Sequence, residues 1–234
     1  MRESTARSEY TALTVGARFD RNWGAFNTNY VLAKSMSDDD NERDSGGVQF
    51  ENGYNLAPEW APARLDRRHQ FSGYAMFFLP KGFDVTSGYR FQSGLPIDAA
   101  FGRDINNSRG GPDRPYSAPG VPFQRNGFRN YGYKEVNLKA QWGYTVGAGK
   151  RVVLTAEIFN VFNWDNVQLA TASSAVTNYC AGTAPLDCGF GPPTNPNFLS
   201  LTDKVAGSPT FGQLIQTNNP GPPRQIQLGA RFEF

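Results

Sequence analysis

Glu135-Val136-Asn137-Leu138-Lys139-Ala140-Gln141-Trp142 alternates strictly between polar and apolar side chains. A β-strand turns successive side chains to opposite faces, so this stretch has one polar and one apolar surface. The same period of two recurs along the chain. From about residue 10 to 20, Leu13, Val15, Ala17 and Phe19 oppose Thr14, Gly16 and Arg18. From about Ala25 to Lys34, Phe26, Tyr30 and Leu32 oppose Asn27 and Asn29. Phe83, Val85, Tyr89 and Phe91 oppose Asp84, Thr86, Arg90 and Gln92, and Val152, Leu154, Ala156 and Ile158 oppose Thr155 and Glu157. At the end of the chain, Ile226, Leu228, Ala230, Phe232 and Phe234 oppose Gln225, Gln227, Arg231 and Glu233. A seventh stretch, about Gln70 to Leu79, is apolar on both faces and is the weakest assignment. These segments are about 9–12 residues long, the length at which a tilted strand crosses a bilayer. All 16 prolines lie between the segments or at their ends, as residues without an amide hydrogen must.

The connections alternate in length. Asp20–Gly24, Pro80–Gly82 and a turn around Gly143 to Lys150 are short, whereas the other three run to about 35, 40 and 60 residues. Short turns at one end and long loops at the other are the pattern of an outer-membrane barrel, with the turns in the periplasm. The expected fold is therefore all-β: an antiparallel transmembrane β-barrel region with long extracellular loops, extending over residues 1–234 as one domain. Seven strands place the first and last in parallel, and bacterial barrels close antiparallel with an even count. The expectation is thus an incomplete barrel, with further strands before Met1 and no export signal at the start of this sequence.

Composition agrees. The chain of 234 residues is 39% hydrophobic yet 14% aromatic, with a mean hydropathy of −0.51. Abundant aromatics argue against disorder, and a formal charge of +2 is too balanced for a nucleic-acid binder. No stretch approaches the roughly 18 apolar residues of a membrane helix, but lumen-facing polar residues dilute the hydropathy of a barrel strand.

Several segments carry a family resemblance. Gln225–Phe234 looks like the C-terminal strand of outer-membrane barrels, whose terminal Phe and alternating Ile226, Leu228, Ala230, Phe232 and Phe234 imply recognition by the barrel-assembly machinery. The ordered series NYVLAKSMSDDDN, RLDRRHQFSGYAMFFLP, GYRFQSGLPI, GPDRP, AEIFNVFNWDN and PRQIQLGARFEF resembles the C-terminal barrel region of TonB-dependent receptors. The likeness is to the Oar-like group, with a carboxypeptidase-regulatory-like N-terminal domain. It implies a plugged barrel of about 22 strands, of which these are the last seven. It also implies uptake or surface binding of a ligand, coupled to the TonB complex. The plug and TonB box of that group have no counterpart here, so coupled transport needs more than this polypeptide.

Candidate chemistry is sparse, and no enzyme and no cofactor is expected. Arg18, Arg90, Lys139, Glu157 and Arg231 are expected to face the lumen as a charge ladder, because Arg or Lys facing lipid costs about 2–4 kcal/mol at midplane. Asp38–Asp44 is a cluster of acidic residues, but it lacks the glycine of a calcium loop and contains Arg43, so a solvated loop is expected. Asp66-Arg67-Arg68-His69 suits a rim salt-bridge cluster or contacts with anionic lipopolysaccharide; the single His69 has no second histidine to complete a metal site. Gly147–Lys150 is a turn, since Tyr144 and Arg151 break the phosphate-loop pattern. Cys180 and Cys188 fit a local disulfide in an oxidising compartment, and two unpaired thiols are the other reading. Tyr30, Tyr89, Trp142 and Trp164 are candidates for aromatic girdles. The expected function is ligand uptake or surface recognition in the outer membrane, in contact with its lipid, with recognition in residues 35–69, 94–133 and 164–222. The rivals are an adhesin or structural barrel without transport, and a soluble carbohydrate-binding β-sandwich.

Overall fold

The computed structural model describes residues 6–39, 50–52, 54–105, 107, 113–147, 149–170, 174–181, 188–215, 217–218 and 221–234. Among these, seven long strands form one sheet: β1 (Ser8–Arg21), β2 (Gly24–Ser37), β3 (His69–Leu79), β4 (Phe83–Gln92), β5 (Tyr133–Gly147), β6 (Lys150–Phe159) and β7 (Gln225–Glu233). They pair in sequence order, each antiparallel to the next, and the two-residue segment Ala61–Pro62 adds to β2. Beyond these pairings the outer edges of β1 and β7 take no strand among the described residues.

The register decides which side chains share a face. One cross-strand row runs Asp20, Ala25, Met76, Thr86, Lys139, Glu157, Gln227. The adjacent row runs Phe19, Phe26, Ala75, Ser87, Leu138, Ile158, Ile226. Neighbouring rows point to opposite sides of the pleat, so the sheet has one polar and one apolar face throughout. This resolves β3, which alternation alone left open. Phe71, Gly73, Ala75, Phe77 and Leu79 join the apolar face, while Gln70, Ser72, Tyr74, Met76 and Phe78 lie on the polar one.

The three tight turns gather at one end. β1 and β2 close through Asn22-Trp23. Lys81 and Gly82 both take positive φ between β3 and β4, and a Cβ on Gly82 would lie 2.4 Å from the Gly143 carbonyl oxygen. The third turn is tighter than the expected Gly143–Lys150 connection: β5 continues with a bulge to Gly147, which pairs with Lys150. Positive φ at Gly147 and Gly149 makes so sharp a reversal accessible; Ala148 between them lies outside the described residues.

The fully buried apolar side chains collect at the other end, in the long connections. Ile97, Leu169 and Val176 form one small core with Phe128, Leu199, Leu201 and Ile215 packed on it. Phe101, Tyr179, Cys180 and Cys188 form a second with Ile105, Phe123 and Phe198. A disulfide joins Cys180 to Cys188. By contrast, β1 is exposed along its whole length. The loops are thus a folded cap on an open sheet.

Candidate functional site

The cap is assembled by long-range polar contacts. Glu59 is fully buried in the first long loop, and Arg114 of the second reaches it at 2.5 Å and Glu51 at 3.6 Å. Arg125 donates to the backbone carbonyl oxygens of Glu59 and Ser37. Asp66 accepts from the Ser35 amide and pairs with Arg129, whose guanidinium also reaches the Asp66 carbonyl. Two carboxylate-bearing segments of the first loop are therefore neutralised by arginines of the second. Charges buried this way are tolerable only when paired and hydrogen-bonded. Beside them Asp98 is exposed at the surface and accepts from the Asn126 amide, and desolvation by the surrounding loops pushes its carboxyl up to about 6.

The third long loop joins the second through main-chain bonds, with Ala100 donating to Thr177 and Tyr179 donating to Ala100. Asn130 adds a two-way clamp on Leu169, its amide side chain donating to the carbonyl and accepting from the N–H. Within the third loop Asp203 accepts from Ser208, Thr210, Asn197 and the Val205 amide, which holds its carboxyl well below the usual range.

The exit from β6 is fixed by three asparagines, Asn160, Asn163 and Asn166, all at positive φ. Asn160 bonds both the N–H and the carbonyl of Trp164 and also the Pro222 carbonyl. Asn163 accepts from the Arg224 amide, and Asn166 bonds both main-chain groups of Lys134. One segment thereby ties the starts of β5 and β7 to the end of β6. Sequence reading quoted these residues within the AEIFNVFNWDN resemblance without a role; the signal was the recurrence of Asn, the non-glycine residue that best tolerates this backbone.

Arg18, Arg90, Lys139, Glu157 and Arg231 all fall on the polar face. Lys139 meets Glu157 directly across strands at 2.9 Å. Arg18 and Arg231 pair within their own strands, with Asp20 at 2.7 Å and Glu233 at 2.5 Å. Arg90 stands opposite Glu135 in register. Ile226, Leu228, Ala230 and Phe232 lie on the apolar face, and Phe234 follows β7 in exposed surroundings. Asp38 does not stand in a free acidic cluster: it is buried and takes both the amide and the guanidinium of Arg7. Asp39 also lies within the described residues, whereas positions 40–44 lie outside them.

Aromatic side chains collect at both ends of the apolar face. Near the cap, Tyr30 stacks on His69, Phe71 on Tyr89, and Phe91 meets Trp164 edge-on. Near the turns, Trp23 lies between Phe19 and Phe77, and Trp142 between Phe83 and Tyr144. Phe83 and Phe91 bound β4 about 27 Å apart along the strand, or about 20 Å in height at a tilt of roughly 40°. Between these belts the apolar face carries no charged residue among the described strands.

Two aromatic belts flanking an uncharged band are what an outer-membrane strand presents to lipid. A family model, described as outer membrane beta barrel domain, matches residues 1–129. The chain belongs to this family. The outer membrane beta barrel domain is accordingly placed in the outer membrane, and β5 to β7 continue the antiparallel sheet of the matched strands. No curated protein and no solved structure matches the chain.

Proposed function

We propose that this chain is the C-terminal barrel portion of a TonB-dependent receptor, whose long loops recognise a ligand at the cell surface for uptake. The observation that carries it is the cap: three long loops with cores and buried ion pairs of their own, gathered at one end of a two-faced antiparallel sheet. Binding residues concentrate on loops held by a rigid scaffold, and these loops supply a large ordered surface for them. The open edges of β1 and β7 suit a larger barrel, about 22 strands in the resembled group. The polar face, with Arg18, Arg90, Lys139, Glu157 and Arg231 among its charges, then lines the lumen. The C-terminal strand is offered to the barrel-assembly machinery, and coupling to the TonB complex comes from a plug elsewhere in the protein.

Orientation is tested by cysteine labelling on whole cells. L65C and F190C in the cap should react with an impermeant maleimide, while N22C and K81C in the turns should react only after the outer membrane is opened. The opposite pattern would invert the proposal. Transport is tested by comparing spent medium from cells lacking the gene with that from cells lacking the energy-coupling complex. Both should leave the same solute unconsumed. Unchanged media together with lost surface attachment would favour the adhesin reading.

A further inference from the structure

A cavity of about 360 Å³ opens where the first two long loops meet the tops of β2 and β3, and its walls include Lys34, Met36, Asp66, Arg68, His69 and Arg129. Lys34 shares the apolar face with Leu32 and Tyr30, and His69 pairs with Leu32 across the strands. The cavity therefore sits directly above the cap-side aromatic belt, in which the Tyr30 hydroxyl meets His69 Nδ1 at 2.8 Å. Arg129 is neutralised by Asp66. Lys34 and Arg68 are exposed and form no ion pair among the described residues.

We infer that this cavity seats a phosphorylated headgroup of an outer-leaflet glycolipid, with Lys34 and Arg68 as its phosphate ligands. The assignment rests on the proposed orientation, in which the cap end faces outward. A lysine on a lipid-facing surface is strongly disfavoured at midplane and tolerated near the interface. Lys34 therefore sits at headgroup depth, where its stem covers apolar surface and its ammonium reaches out. An arginine fork and a lysine point charge together suit a phosphate monoester. The belt below supplies apolar surface for the acyl chains of the same molecule. Free inorganic phosphate shares the charge chemistry but gains nothing from that belt.

The test uses the protein extracted from outer membranes in mild detergent. Its binding to a purified bisphosphorylated glycolipid, to the enzymatically dephosphorylated lipid and to inorganic phosphate is measured by native mass spectrometry. The bisphosphorylated form should bind about tenfold more tightly than the dephosphorylated one, and K34E/R68E should lose about tenfold. The milder K34Q/R68Q should lose part of it, and K150E at the turn end should lose none. Equal binding by wild type and both double variants, each keeping the heat-modifiable gel mobility of a folded barrel, would overturn the assignment. Displacement of the lipid by an equal concentration of inorganic phosphate would overturn it too, leaving a simple anion site. Recovery of the protein outside the outer-membrane fraction would overturn the receptor reading first, by a readout independent of lipid.

Discussion

Asn160 shows how much one side chain can hold. It is 1% exposed, adopts positive φ, and serves three main-chain groups of Trp164 and Pro222. Asn160→Ala strands those groups and puts a residue with a poorer left-handed preference in the turn. The expected cost is about 2–3 kcal/mol. Limited proteolysis of the folded protein should then open first between residues 160 and 166, and unchanged cleavage would show that the clamp is redundant. Asn163 and Asn166 act on other strands, so their replacement should loosen Arg224 and Lys134 without moving Trp164. The recurrence of Asn marks the backbone conformation in the sequence but not the partners, because a distant main-chain group bonded by a side chain leaves no pattern of its own. Cys180 and Cys188 were easier: two cysteines so close in a loop-rich segment left two readings, and the structure pairs them.

Among the elements, the long strands were legible because the period of two survives wherever one face meets lipid and the other water. β3 was legible as a strand but its faces were not, since Tyr74, Met76 and Phe78 put large apolar groups on the polar face, and only the register with β2 and β4 separates the sides. The loops were illegible for a different reason. Their cores join Ile97 to Leu169 and Val176, and Phe101 to Tyr179, pairs far apart in sequence with no repeat between them. The ion pairs of the two regions should also behave differently. Lys139–Glu157 is partly exposed and lies directly across strands, so a double-mutant cycle should return about 0.2–1 kcal/mol. Glu59→Gln removes the nearer carboxylate from buried Arg114 and leaves Glu51 at 3.6 Å to balance it, and should cost about 1–3 kcal/mol. Hydrogen exchange would locate that loss in residues 113–129, with the sheet amides unchanged.

On the scale of the whole molecule, cap and sheet respond to different variables. Desolvation by the surrounding loops raises the Asp98 carboxyl from the ordinary 3.8 to about 6. The folded cap then binds that proton more tightly than the unfolded chain does, so stability falls as pH rises from about 4 to about 6 and stays reduced above it. Asp98 remains open to solvent, so screening holds the effect to about 1 kcal/mol or less. Cap amides should exchange faster at pH 7.5 than at pH 5 after correction for intrinsic rates, and Asp98→Asn should flatten the difference. Strand amides should not follow it. An acid-sensitive cap with the reverse slope would mean that Asp203, held low by four donors, governs the response instead.

The pairing of Glu51, Glu59 and Asp66 with Arg114 and Arg129 has a bearing on how the surface is seen from outside. Neither loop can display its native outline without the other, so the surface offered to an antibody or a phage is discontinuous in sequence. Sera raised against a peptide from either loop alone should recognise denatured protein and miss intact cells. A drift in one loop that removes a carboxylate would need an answering change in the other, so antigenic variation here should proceed by coupled steps.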